Sequence, residues 1–392
     1  MSVPVDRVGH HRRVLAATLG LLLVGEMALG PYYPQLFREL YARGDPAATG
    51  VFVWTTRLCA LVALPLLGLL ARRVGAARVV TGGLAVAAVC DLLLPWAPTL
   101  ATFTALSAVA AAAGSALLLA YPALVRLDGA GSTPGTVWFA GLFHGAVVAA
   151  AALGALIVAL PEPRVGLAAF APMTVVLLVA SRRALRATPD APAPAPATAR
   201  RHALLVLATV VLLGTVLDFS IAVVRPFFVA ALEGAGHGAV VSTTVFLLPS
   251  LAALAVLPVL PRVASRMGAA ALPSALVLAA VGLVLQTGAQ ADLVPILAGR
   301  VAFGVGVVLA QIEVDRRIFA VAGTAGPGFA ASETARGIGL VLAPLAAATA
   351  ATHDLFLPLA VGAAGLGLAA LLTAVPHMLP RPLRKAHRVP SV

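Results

Sequence analysis

Few residues in this chain could do chemistry, because only 11% of its 392 residues are charged and 61% are hydrophobic. The charges that fall inside apolar blocks are therefore informative. Glu26 lies about twelve residues into the first block, or about 18 Å at 1.5 Å per residue. Arg57 lies about eight residues into the second block from the opposite rim, or about 12 Å. In a layer about 30 Å thick the two reach nearly the same depth. Asp218 sits about 22 Å along the seventh block, in its outer half, with Arg225 two turns further on roughly the same face. A charge in hydrocarbon is costly and faces a cavity or a partner. Glu26 and Arg57 read either as a structural ion pair or as binding and proton-coupling groups. Arg225 reads either as a holder of an anionic group or as the counter-ion of Asp218.

Other residues flank these four. Pro31-Tyr32-Tyr33-Pro34 and Arg225-Pro226-Phe227-Phe228 end two blocks alike. Their prolines can kink the chain and their rings can close a gate or anchor at an interface. Tyr32 and Tyr33 join the binding candidates on that ground. Gln311, Glu313, Asp315, Arg316 and Arg317 follow one another at the end of the tenth block, and Glu333 and Arg336 open the eleventh. Glu313 and Arg317 are four apart and can pair on one helix face. Arg317, Glu333 and Arg336 read as a gate network near the cytoplasmic rim, and Glu313 as a secondary substrate candidate. His144 could titrate near neutral pH or simply pack. Asp91 could cap, snorkel or touch substrate. Trp54, Trp96 and Trp138 read as interfacial anchors, and Cys59 and Cys90 as small core residues.

The elements that position these residues are apolar blocks long enough to span a bilayer, about 20 residues each. They run over 14–36, 49–71, 77–96, 101–125, 136–160 and 164–185, then 203–231, 240–261, 270–288, 294–319, 329–350 and 355–377. A soluble domain carries roughly 25% charged residues, so a soluble fold is excluded. The expectation is an all-α polytopic membrane protein with twelve transmembrane helices in two pseudo-symmetric six-helix bundles. The net charge of +12 comes from 27 basic and 15 acidic residues. Most of the basic ones sit between the blocks, which reads as topology rather than a nucleic-acid face. With the N-terminus cytoplasmic, only Arg38, Arg43 and Arg164 among the loop residues fall outside. Both termini are then cytoplasmic.

Residues 187–201 form a Pro/Ala-rich linker, a semi-rigid extended spacer. It divides an N-terminal bundle over 1–186 from a C-terminal bundle over 202–380, followed by a basic tail over 381–392. The halves echo each other. Glu26 and Pro34 match Asp218 and Pro226, and Arg73-Val74-Gly75-Ala76-Ala77 matches Arg266-Met267-Gly268-Ala269-Ala270. Parallel repeats of this kind suit a transporter that rocks about a site between its halves.

On these residues the chain resembles the major facilitator superfamily over 12–378. The family's loop motif between spans two and three reads here as Gly68, Leu70, Arg72 in place of an Asp, Arg73 and Gly75. Ala76 and Ala77 replace the following basic pair. The resemblance implies that Arg73 and Gly75, and by repetition Arg266 and Gly268, belong to gating rather than to substrate binding. It also implies that spans one and seven line a central cavity. Span five has Gly141, Gly145 and Gly154 but no Gly-Pro pair, so it does not by itself mark an exporter. Small residues at that spacing indicate close helix packing.

The expected function is secondary active transport of a small organic molecule by alternating access, coupled to protons, as efflux of a drug-like compound or metabolite. Uptake of an organic anion or nutrient by proton symport, and lipid flipping on the same scaffold, are the alternatives. No nucleotide loop, metal pattern or nucleophile arrangement is present. No enzyme activity, cofactor, metal or nucleic-acid partner is expected. The expected partners are substrate, protons and membrane lipids, for a monomer in a bacterial inner membrane. Neutralising Glu26 or Asp218 is expected to stop proton-driven transport.

Overall fold

A computed structural model of the chain describes residues 5–120, 133–186, 201–289, 292–322 and 327–374. The linker over 187–201, apart from Arg201, and the tail over 381–392 lie outside them. Among the described residues there are helices and turns but no strand. A backbone in hydrocarbon must satisfy its own hydrogen bonds, and Ala/Leu/Val blocks do so as helices.

The helices of the first half are α1 (Val5–Met27), α2 (Tyr33–Tyr41), α3 (Pro46–Val74), α4 (Ala76–Leu93) and α5 (Leu100–Gly114). They continue with α6 (Thr133–Val158), α7 (Pro163–Leu167) and α8 (Phe170–Arg186). The second half holds α9 (Arg201–Val224), α10 (Phe228–Gly234), α11 (Ala239–Val256) and α12 (Leu260–Met267). Then come α13 (Ala271–Ala289), α14 (Leu293–Ala322), α15 (Pro327–Ala351) and α16 (Leu357–Ala374). Among the described residues, ten stretches are long and apolar enough to cross a membrane, and Ala16–Met27 and Leu357–Thr373 are shorter apolar helices. The chain is an all-helical, multi-pass membrane protein.

Local chemistry sets where helices stop. The first predicted span is broken: α1 ends at Met27, short turns carry the chain to Tyr32, and α2 starts with Pro34 in its first turn, where a missing N–H is harmless. The seventh breaks the same way at Arg225-Pro226-Phe227. The residues leading into α2 and α10 have nearly identical backbones, Tyr32 at φ −112°, ψ 0° and Phe227 at φ −114°, ψ −4°. The Asp45 carboxylate caps α3 by accepting from the Ala48 N–H at 2.8 Å. The two repeated loops turn on Gly75 at φ 92° and Gly268 at φ 57°, a region open to glycine at little cost.

A proline inside α11 exposes a second device. Pro249 has no N–H, so the Val245 carbonyl one turn earlier loses its helical partner. The Arg300 side chain of α14 supplies it, donating from Nε to Val245 O at 3.2 Å and from Nη2 to Phe246 O at 2.7 Å. Its guanidinium lies 4.0 Å from the Phe228 ring centroid and is 3% exposed. Arg300 thus staples the tenth span to a bend in its neighbour.

Helices of the two halves meet where α3 packs on α15 and α6 packs on α11. Within the halves, α1 packs on α6 and α8, while α9 packs on α14, α15 and α16. One large apolar core fills the second half and reaches Tyr32, Ala140, Ala151 and Val158 of the first. Two smaller cores, one around Phe37 and Phe103 and one around Val80 and Leu84, fill the rest of the first half.

Candidate functional site

A cavity of about 280 Å³ opens beside the break after α1. Its floor and walls are cut mostly into the first half. Ala222, Arg225, Pro226, Phe246, Leu340 and Pro344 close it from the second. Most of the lining is apolar, and the ionisable groups at its wall include Glu26, Arg57, Asp91 and Arg225.

Glu26 reaches the cavity because it lies in the last turn of α1, just before the chain leaves the helix. Its Oε2 is 3.6 Å from Arg57 Nη1 on α3, and each side chain is about a third exposed, 38% and 36%. The depth count from sequence thus brings together the right pair. At that separation and exposure the contact is an ion pair without a close hydrogen bond, a type that contributes about 0–1 kcal/mol. Asp91 of α4 accepts a 2.6 Å hydrogen bond from the Thr174 hydroxyl of α8.

The two tyrosines separate. Tyr33 lines the cavity and packs edge-on against Phe52, with ring centroids 4.6 Å apart. Tyr32 is 3% exposed and turns away from the cavity wall. Its hydroxyl lies 3.1 Å from the Ala151 carbonyl of α6 and 3.2 Å from Thr243 Oγ1 of α11. Tyr32 thus joins the halves instead of facing a substrate. His144 makes a second crossing, with Nδ1 3.4 Å from Ser250 Oγ on α11, and is 4% exposed. Gly154 on α6 lets the chain after α1 come this close, since a Cβ there would collide with the Ala28 carbonyl.

Asp218 does not join the cavity, nor does it pair with Arg225. Its two oxygens accept from Arg336 of α15, Oδ2 from Nε at 2.8 Å and Oδ1 from Nη2 at 3.2 Å. Arg336 Nη1 also donates to Asp315 at 2.9 Å and to Glu333 at 3.2 Å. Gly214, one turn before Asp218, leaves the space that the Arg336 side chain fills. Placing Asp218 in the outer half and Arg336 at the opposite rim therefore overstated their separation. The reason is physical: an Arg side chain spans several ångströms, so residues counted to different depths can still meet. These partners all lie on α9, α14 and α15, within the second half. The network read as a gate between halves is a tie among three helices of one half.

Glu313 is also absent from the cavity wall. It is 1% exposed and is held by Arg316 at 3.1 Å, with Arg317 at 4.0 Å. The pairing on one face is present, but the nearer partner is three residues away, not four. Arg73 and Arg266 are exposed, and among the described residues neither forms an ion pair. Their loops turn on Gly75 and Gly268.

Arg225 is the one strongly basic group at the cavity wall without a carboxylate within ion-pair distance, among the described residues. It sits in the break before α10. Its Nη1 is 4.0 Å from the Met27 sulfur, and its guanidinium is 5.7 Å from the Phe143 ring centroid. Sequence reasoning missed the Arg300 staple, although Pro249 four residues after Val245 marks the freed carbonyl. It also missed Thr243 and Ser250, which only the packing of α11 on α6 brings into reach.

Compared with known proteins, the chain matches no family model and no curated protein. Among the described residues no group of three or more His, Cys, Asp or Glu side chains is placed to hold a metal ion.

Proposed function

We propose that the chain is a secondary transporter of the major facilitator type. Twelve spans in two six-helix bundles, over 1–186 and 202–380, rock about the cavity beside Glu26 to move a small organic molecule. The carrying observation is the cavity itself, walled by both halves and holding a loosely paired Glu26–Arg57 in an apolar lining. The matching helix breaks at Tyr32 and Phe227 and the matching glycine turns at Gly75 and Gly268 support the repeat. The shorter apolar helices Ala16–Met27 and Leu357–Thr373 bring the ten longer stretches to twelve.

At the cavity wall Glu26 has two possible partners, the Arg57 guanidinium or a proton. Desolvation penalises a bare carboxylate, so exchanging one for the other couples proton movement to the freedom of Arg57. Substrate entering beside Arg57 in one state competes with Glu26 for that arginine, and release restores the pair in the other. The cavity lacks the amide side chains that would bind a sugar, and its Leu, Phe and Met lining suits a molecule with an apolar body. We read the direction as proton-driven efflux, from a bacterial inner membrane with both termini cytoplasmic.

Alternating access has its own test. Cys59 and Cys90 are replaced by Ser, and a cysteine is placed at Ser107 on the cavity wall. In proteoliposomes it should react with an impermeant maleimide from either face, in proportions that reverse with an imposed pH gradient. Labelling from one face only, whatever the gradient, contradicts the reading.

A further inference from the structure

We infer that the cavity takes a compact organic anion, with the Arg225 guanidinium holding the oxyanion and the apolar wall holding the body. The inference rests on the transport reading above only for the identity of the site. It is argued from how each arginine in the apolar region is satisfied.

A guanidinium carries five N–H donors. Arg336 spends its donors on three carboxylates, and Arg300 on two carbonyls under an aromatic ring. Arg164 donates to the Pro95 and Ala97 carbonyls, at 2.8 and 3.1 Å. Arg225 differs. Among the described residues its contacts are a thioether sulfur at 4.0 Å, a weak acceptor, and the Phe143 ring. Asp218 acts on it electrostatically, but both Asp218 oxygens are taken by Arg336. Arg57, the other arginine of the wall, has Glu26 at 3.6 Å. A fork of free donors at a cavity wall matches an oxyanion, which it can grip with two parallel hydrogen bonds.

The acids of the wall have partners of their own. Glu26 already has Arg57 at 3.6 Å, and Asp91 already accepts from Thr174. A cationic substrate would have to displace Arg57 and approach Arg225, whereas an anionic one meets unpaired donors directly. The volume of about 280 Å³ lies at the small end of ligand pockets, which run roughly 300–1,000 Å³. That size suits a body of one or two rings rather than an acyl chain. A carboxylate, sulfonate or monoalkyl phosphate would present the same chemistry.

The test varies the head group on a constant body. Binding of 4-phenylbutyrate, 4-phenylbutyramide and 4-phenylbutylamine to the detergent-purified full chain is measured by calorimetry, together with the matching 2-naphthylacetic acid, amide and amine. The acid of at least one body should bind at least tenfold tighter than its amide, and the amine weakest. Arg225→Gln should erase the difference between acid and amide, while Arg225→Lys should keep the order and shrink it. The wild-type ranking stands alone as a test if a variant does not fold. Laurate serves as the lipid-like arm and should bind more weakly than the best ring acid. An amine binding as tightly as its acid, no acid binding at all, an undiminished acid preference in folded Arg225→Gln, or laurate binding tightest would each overturn the inference. Binding is read without a membrane, so failed flux with this ranking intact would count against transport and leave the anion site standing.

Discussion

Neutralising Glu26 and Asp218 one at a time separates a group that works from a group that holds the scaffold. Asp218 makes two charge-assisted hydrogen bonds to Arg336, at 2.8 and 3.2 Å, with side chains only 13% and 14% exposed. Bonds of this kind contribute about 1.5–3 kcal/mol. Asp218→Asn should cost about that much, and less than the roughly 3–5 kcal/mol of a fully orphaned buried charge, because Arg336 keeps Asp315 and Glu333. Glu26 has one contact at 3.6 Å with both partners about a third exposed, so Glu26→Gln should change stability by about 0–1 kcal/mol. The assay is an SDS unfolding titration of each purified variant, followed by tryptophan fluorescence. Gradient-driven flux should show the opposite order: lost in Glu26→Gln, retained in the folded fraction of Asp218→Asn. A Glu26→Gln variant as destabilised as Asp218→Asn, or an Asp218→Asn variant of wild-type stability, would refute the reasoning.

Arg300→Met should destabilise by about 1–3 kcal/mol in the same titration, because the Val245 carbonyl is left without a donor. Adding Pro249→Ala should recover much of that loss, since residue 249 regains the N–H that bonds Val245. Gly154→Ala should sharply lower the yield of folded protein on size-exclusion chromatography, whereas Gly145→Ala, which meets nothing within 4 Å, should not. Tyr32→Phe removes the hydrogen bond to Thr243 that joins the halves. A net hydrogen bond of about 1 kcal/mol should alter the labelling ratio of the Ser107→Cys probe about fivefold.

The sequence made the helices legible because hydrocarbon leaves a chain little choice. Length and apolar composition located the ten long apolar stretches among the described residues, but not the short helices α2, α7, α10 and α12 that interrupt or flank them. The Glu26–Arg57 pair was legible for the same reason: two neighbouring spans, counted from opposite rims, give one depth. Asp218 was not. Its partner lies more than a hundred residues away on α15, and depth counting carries no information about which helices touch or how far an arginine reaches. The repeat itself misled, since matching positions 26 and 218 suggested matching environments. One residue lines a cavity and the other is tied within its own half. Tyr32 was read with Tyr33, although adjacent residues in a helix break point to different neighbours.

We propose that this cavity carries a molecule across the membrane in exchange for protons through Glu26. It is tested most directly by flux in proteoliposomes containing the full chain, with a panel of small organic compounds and a pH gradient imposed in each direction. At least one compound should accumulate against its gradient when protons flow the opposite way, reverse with the gradient, and lose that dependence in folded Glu26→Gln. Flux indifferent to the proton gradient, or equally driven in Glu26→Gln, would contradict it.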